Sequence, residues 1–198
     1  TNEGYASNYS RVGLGPKGTI KPDIASYGGD LLRGDNGEMI MKGVNSFSRN
    51  GNVASSSGTS FATARISSLA TIIYQNICKD FKNFSDFNPI LLKALIIHSA
   101  KNTDKNLSME EIGYGIPSTS TEILSYFKNE NIKIFNGVME KNKEIELDAS
   151  FFNYKKDMKI KLTLVYDTEF DYLQKSDYIK SDIKIKDISE NGKNLTRK

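Results

Sequence analysis

A short run of glycine and hydroxyl residues, Ser57-Gly-Thr-Ser60, stands directly before a long apolar stretch and is well suited to covalent chemistry. The apolar spacing predicts a helix from Ser60 to about Cys78. A serine in the first turn of a helix lies beside backbone N–H groups without a partner in the helix, and the helix dipole favours negative charge there. Such a serine can be a nucleophile whose oxyanion those groups stabilise. Most serines at this position are caps, so the position alone does not decide.

The 198 residues contain one histidine, His98, that could serve as a general base. Hydrolysis without a metal needs a base, and imidazole is the usual one. His98 stands in an apolar stretch for which we predict a helix from Asn88, the N-cap, through Pro89 to Ala100. We therefore expect His98 to be a buried packing residue. A lysine base is disfavoured too, because no Ser-x-x-Lys pattern follows Ser60.

The composition argues against several classes of partner. The 27 Lys and Arg residues nearly balance the 24 Asp and Glu residues, so the net charge of +3 provides no strong field for nucleic acid or a membrane surface. The single cysteine excludes an internal disulfide and leaves the compartment open. No apolar run reaches the length that crosses a bilayer. We expect neither nucleic acid nor membrane as a partner.

The elements that must position Ser60 change character along the chain. Residues 1–58 are rich in Gly, Ser and Asn, which predicts loops and short strands with turns at Gly28-Gly29 and Asp35-Asn-Gly37. After the two helices, the run Gly113–Pro117 interrupts the pattern, and Ser118 or Thr119 can cap a shorter helix that reaches Phe127. Three helices after a strand-and-loop region are therefore predicted.

Beyond residue 130 the sequence alternates charged and apolar residues with a period of two, which is typical of half-buried strands. Such strands are usually antiparallel. We place a domain boundary there, with residues 1–129 in one domain and 130–198 in a small β-rich domain or partial sandwich. The predicted strands lie at Ile132–Phe135, Glu144–Leu147, Met158–Val165 and Ile183–Lys186.

Several stretches, in order and spacing, resemble the C-terminal half of a subtilisin-like serine protease, a subtilase of peptidase family S8. The resemblance covers roughly residues 5 to 125. It implies an α/β fold in which this chain forms the C-terminal part of a doubly wound parallel sheet domain, followed by a small antiparallel β unit. The matching stretches are Tyr9-Ser-Arg-Val-Gly13, Lys21-Pro-Asp-Ile24, Gly28, Gly58-Thr-Ser-Phe-Ala-Thr63, Leu92–Ala100 and Gly113-Tyr-Gly-Ile-Pro117.

The resemblance also implies an activity. Ser60 would be the catalytic nucleophile of a serine endopeptidase, a hydrolase acting on a protein or peptide, and its backbone N–H would form half of the oxyanion hole. The family's Asp, His and oxyanion Asn would precede Thr1, so this chain would be a C-terminal fragment that is inactive without its missing N-terminal half. Without that half, one flank of the predicted helix from Ser60 to Cys78 would be uncovered, and we expect self-association through it. The alternative is a catalytically inactive pseudoprotease or a scaffolding and binding module.

Departures from the family pattern indicate a divergent branch rather than altered chemistry. Ala64 stands where the family usually has Pro, Ser68 where it has Gly, and Ser26-Tyr27 where it has Ala-Pro. No cofactor and no metal is predicted. Structural calcium, which occurs in many relatives, stays an unsupported alternative, because the carboxylates here lack the alternating spacing of a calcium loop. The carboxylates considered are Glu110, Glu111, Asp167, Glu169 and Asp171, whereas Asp23, Asp30 and Asp35 are interpreted as turn or loop residues.

Overall fold

The computed structural model describes residues 5–15, 18–80, 88–102, 104, 106–146 and 160–168, together with 183, 185, 189–190 and 193–194. This part of the chain contains both helices and short strands, in agreement with the α/β composition predicted from the sequence. None of its helices combines the length and the apolar character needed to cross a membrane.

Two antiparallel hairpins occupy the region before Ser60. Strand β1, Asp30–Arg33, pairs with β2, Met39–Lys42, and strand β3, Val44–Phe47, pairs with β4, Val53–Ser56. The turn of the first hairpin contains Gly37 at φ 81°, a left-handed conformation that favours glycine, so the predicted turn there is confirmed.

Every strand pair in the described residues is antiparallel, including the short pair of β5, Ser189–Glu190, with β6, Lys193–Asn194. The parallel doubly wound sheet implied by the resemblance is therefore not present in this part of the chain. The physical reason is local, because tight turns join consecutive strands and a parallel pair needs a crossover of a dozen or more residues.

Two long helices follow the hairpins and confirm the predicted pattern. Helix α1 is Thr59–Asp80 and helix α2 is Pro89–Ser99. The Asn88 side chain accepts a hydrogen bond from the Leu91 N–H at 2.8 Å, and Pro89 opens the helix, where its missing N–H costs nothing. The polar cap and the proline together define where α2 begins.

Two short helices complete the set. Helix α4, Ser120–Ser125, is capped by Thr119, one of the two caps that the sequence predicts, and a 3-10 turn at Tyr126–Lys128 continues it. Helix α3, Met109–Ile112, was missed by the sequence reasoning. A signal for α3 was available, since Ser108 and the Glu three residues later form a capping box.

The apolar core lies between α1, α2 and α4. Ile73 and Ile77 from α1 are fully buried, as is Ile123 from α4. Only one face of α1 is covered by the described residues, because Ile72, the neighbour of Ile73, remains 42% exposed. The remaining members of the core cluster are Leu91, Leu95 and Ile96 of α2.

Beyond residue 130, several predicted strands are absent where the structure describes the chain. Residues 132–135, 144–146 and 160–165 contain neither strand nor helix. The alternation persists in exposure, since Ile132 and Ile134 are half-buried while Lys133 and Phe135 are exposed. A strand also needs a hydrogen-bonded neighbour, which a period-two pattern cannot supply. The domain boundary near residue 130 stays a prediction, and Leu147, Met158 and Lys186 lie outside the described residues.

Candidate active site

Ser60 lies in the first turn of α1 with its side chain exposed. Among the described residues, neither its hydroxyl nor its backbone N–H has a hydrogen-bond partner. The next N–H in the chain, that of Phe61, donates to the Gly58 carbonyl at 3.1 Å. The hydroxyl and the N–H of Ser60 are therefore both free to contact a carbonyl group brought to the helix N-terminus, where the helix dipole favours developing negative charge.

The turn before Ser60 is held against the segment that contains Gly28. The Gly58 N–H donates to the Gly28 carbonyl at 2.8 Å. A Cβ atom on the buried Gly28 would lie 2.5 Å from the Gly58 carbonyl oxygen and 3.3 Å from the Ala62 Cβ. Only glycine permits this approach, so Gly28 has a packing role beside the candidate nucleophile.

Two hydroxyl groups hold the Gly28-Gly29 segment from its other side. The Tyr9 hydroxyl donates to the Gly28 carbonyl at 3.1 Å and also contacts the Gly29 carbonyl, while the Ser7 hydroxyl donates to Gly29 at 3.0 Å. Gly29 itself has φ 80°, and a Cβ there would lie 2.9 Å from the Ser57 Cβ. Tyr9 belongs to one of the stretches that resemble the family, but no sequence pattern predicts its contact with the two glycines.

Arg65 adds a contact between α1 and the same segment. Its guanidinium carbon lies 6.0 Å from the centroid of the Tyr27 ring, within the range of a cation–π interaction. Both side chains are exposed, so the interaction contributes only about 0.5–1 kcal/mol. Tyr27 stands where the resembling family usually has Pro, and Arg65 supplies it with a partner.

The stretch around Asp23 connects the region before the hairpins to α2 and to the Gly113 turn. The Asp23 carboxylate lies 2.5 Å from the Lys21 ammonium and 2.9 Å from that of Lys93. Burial alone would raise the pKa of Asp23, but the hydrogen bonds from the two lysines outweigh it, so the pKa lies below its ordinary value. The Asp23 carbonyl accepts from the Tyr114 N–H at 2.9 Å, which makes this loop residue a structural tie.

Comparison with protein-family models matches residues 1–115 to the subtilase family, Peptidase_S8. The match covers more than half of the 198 residues. The chain belongs to the subtilase family. Membership places it among subtilase-type serine proteases. No curated protein and no solved structure matches it.

The one histidine of this subtilase lies in a different environment from Ser60. The His98 Nδ1 is 2.8 Å from the Thr163 hydroxyl, and the His98 ring meets the Tyr126 ring edge-on with centroids 5.8 Å apart. The sequence predicts a buried His98, whereas the structure shows it half-buried. Its contacts are those of a packing residue at the end of α2.

A lysine from a distant part of the chain completes the C-terminal end of α2. The Lys161 ammonium donates to the His98 carbonyl at 2.6 Å and to the Ala100 carbonyl at 3.0 Å. The last carbonyls of a helix have no partner within it, and a cation there also suits the helix dipole. The sequence reasoning missed this contact, because no local pattern joins residue 161 to residue 98.

The carboxylates considered as calcium ligands are not clustered in the part of this subtilase that the structure describes. No group of three or more His, Cys, Asp or Glu side chains comes together there. Glu111 instead accepts hydrogen bonds from the N–H and hydroxyl of Ser108, at 2.9 and 3.1 Å. Glu169 and Asp171 lie outside the described residues.

Proposed function

We propose that this subtilase contributes the nucleophile of a serine endopeptidase, and that the nucleophile is Ser60. The observation that carries the proposal is its place in the first turn of α1, with hydroxyl and N–H both without a partner among the described residues. The hydroxyl oxygen attacks the carbonyl carbon of a peptide bond, and the Ser60 N–H donates to the oxyanion that forms. The leaving amine takes a proton, and water then hydrolyses the acyl-enzyme.

The proton of Ser60 needs a base, and imidazole is the usual one. His98 is the one histidine in the 198 residues, and its Nδ1 is 2.8 Å from Thr163. We propose that the His, the Asp that orients it and an oxyanion Asn are supplied by a segment preceding Thr1. If no such segment supplies these groups, the contact of His98 with Thr163 favours the second candidate, an inactive scaffolding or binding module.

The preceding segment is also proposed to contribute parallel strands of a doubly wound sheet and to cover the open flank of α1. Ile72 is 42% exposed on that flank, beside the fully buried Ile73. Uncovered apolar surface of this kind promotes association. We expect the isolated chain to self-associate, and residues 130–198 to form a separate β-rich unit. Size-exclusion chromatography with and without the preceding segment measures the association.

Labelling with a fluorophosphonate tests the catalytic proposal. The 198-residue chain is labelled alone and together with the separately expressed preceding segment, with Ser60→Ala as the loss-of-function variant. Ser67→Ala is the matched control, because Ser67 is exposed on the same helix and outside its first turn. We expect fast labelling of Ser60 only in the combined sample.

Two outcomes would contradict the proposal in different ways. Stoichiometric labelling of Ser60 in the isolated chain would show that the preceding segment is unnecessary. Absence of labelling in the combined sample, with the segment bound, would instead favour the inactive module.

A further inference from the structure

We propose that the hydroxyl of Tyr9 is a positioning group for Ser60 that acts through the Gly28 carbonyl. This inference rests on the proposed role of Ser60 and extends it to a residue outside the reacting groups. Hydrogen bonds connect Tyr9 to Gly28, Gly28 to Gly58 and Gly58 to Phe61, and Ser60 lies within the turn that the last bond closes. These bonds begin at the Tyr9 phenol and end in the first turn of α1.

The first step is the sharing of one acceptor by two donors. The Gly28 carbonyl accepts from the Gly58 N–H at 2.8 Å and lies 3.1 Å from the Tyr9 hydroxyl, whose single proton is shared with the nearer Gly29 carbonyl. A carbonyl oxygen has two lone pairs, so it can accept from both donors. The direction of the Gly28 carbonyl, and hence of its bond to Gly58, therefore depends on where the Tyr9 hydroxyl lies.

The second step passes from Gly58 into the helix. The Gly58 carbonyl accepts the Phe61 N–H at 3.1 Å, so Gly58 bonds to Gly28 through its N–H and to α1 through its carbonyl. Ser60 lies between the two bonded positions of this turn. The backbones at Gly28 and Gly58 lie so close that a Cβ on Gly28 would be 2.5 Å from the Gly58 oxygen. Because no space separates them, a shift of Gly28 also moves Gly58.

Loss of the Tyr9 hydroxyl alone would remove its contacts with the Gly28 and Gly29 carbonyls and keep the ring. Tyr9 is half-buried, so water replaces its hydroxyl only in part. A displacement of the nucleophile by about 1 Å can reduce a rate ~100-fold, so a partial displacement through Gly28 is expected to reduce kcat about 10-fold. KM should stay unchanged, because the affected bonds are internal to the protein.

The experiment compares Tyr9→Phe with Tyr5→Phe in the chain combined with its preceding segment. Tyr5 is a matched control that loses the same atom, since its side chain is 44% exposed and its hydroxyl has no partner among the described residues. We measure kcat and KM on a peptide substrate per titrated active site, the rate of fluorophosphonate labelling, and hydrogen exchange at the Gly58 amide. Normalising to titrated sites removes any difference in the folded fraction.

Support requires three results together: in Tyr9→Phe kcat and labelling fall about 10-fold, KM is unchanged, and the Gly58 amide exchanges faster, while Tyr5→Phe matches wild type. A kcat within about twofold of wild type would overturn the inference, and so would equal losses in both variants or a loss confined to KM. If wild type shows no reaction at Ser60, the proposed function fails separately. In that case hydrogen exchange at the Gly58 amide alone tests the inference. An exchange rate in Tyr9→Phe equal to that of wild type would overturn the link between Tyr9 and Gly58.

Discussion

The imidazole of His98 gives the protein a stability contribution that depends on pH. Burial, and then the nearby charge of Lys161, lower the pKa of His98 below its ordinary value. The folded chain therefore binds a proton at His98 more weakly than the unfolded chain does. The contribution is complete above the ordinary histidine pKa of about 6.5, and it is lost as the pH falls through that value toward the lowered one.

We expect His98→Asn to flatten the pH dependence of unfolding between about pH 7 and 5. Asparagine places an amide near the Thr163 hydroxyl but does not titrate. Urea unfolding at several pH values gives the free energy of unfolding for both proteins. Asp23 does not interfere, because its pKa is lowered from the ordinary carboxyl value of 3.8, which confines its contribution to pH values near and below that value. Equal slopes in the wild type and the variant across this window would contradict the assignment.

The substitution Gly28→Ala tests how closely the backbones at Gly28 and Gly58 approach each other. Gly28→Ala places a methyl group 2.5 Å from the Gly58 oxygen, which is backbone and cannot rotate away. We expect a loss of about 1–3 kcal/mol in the free energy of unfolding, the usual cost of overpacking. Gly137→Ala is the control, since among the described residues no heavy atom other than those of its chain neighbours lies within 4 Å of its added Cβ. Denaturant unfolding that ranks the two variants equally would refute the close approach.

At the scale of elements, Lys161 connects the described segment 160–168 to α2. Its ammonium donates to two carbonyls at the end of the helix, at 2.6 and 3.0 Å. Lys161→Met keeps most of the apolar side chain and removes those bonds. We expect the free energy of unfolding to fall by about 1 kcal/mol. Lys141→Met, at an exposed turn position, should change the free energy of unfolding little. Equal changes for the two variants in thermal unfolding would contradict a stabilising role of Lys161 at the end of α2.

Local elements could be predicted from the sequence, whereas contacts between distant elements could not. The start of α2 could be predicted from Asn88 and Pro89, because the Asn88 side chain accepts a hydrogen bond from an N–H only three residues away. The contact of His98 with Thr163 spans 65 residues and has no local pattern. The strand predicted over 158–165 failed in its described part because alternation does not specify a hydrogen-bonded neighbour.

The same distinction applies to the candidate site. Ser60 could be located from its glycine and the helix that follows it, both of which are local features. The approach of Gly28 to Gly58 and the bond from Tyr9 required the fold, since those residues come from three separate stretches. Nothing in the sequence around Tyr9 indicates that its hydroxyl and the Gly58 N–H bond to the same carbonyl.

At the scale of the whole molecule, the described core is built on one side of α1. Ile73→Ala should lower the free energy of unfolding by about 2–4 kcal/mol, because it empties a site that is 0% exposed. Ile72→Ala, one residue earlier on the same helix, removes a side chain that is 42% exposed and should cost less than about 1 kcal/mol.

Urea unfolding of the isolated chain under dilute conditions measures both values. Dilution matters because association through the exposed flank would add apparent stability to the wild type. Costs of similar size for Ile72→Ala and Ile73→Ala would show that both faces of α1 are covered.

The bond between His98 and Thr163 also sets an order of events during synthesis. The two residues are 65 positions apart, and ribosomes add about 5–20 residues per second. About 3–13 s therefore pass between translation of the end of α2 and translation of the hydroxyl that meets its imidazole. Throughout that interval the His98 imidazole lacks the hydroxyl it contacts in the folded chain, so the end of α2 reaches its final set of contacts late in synthesis.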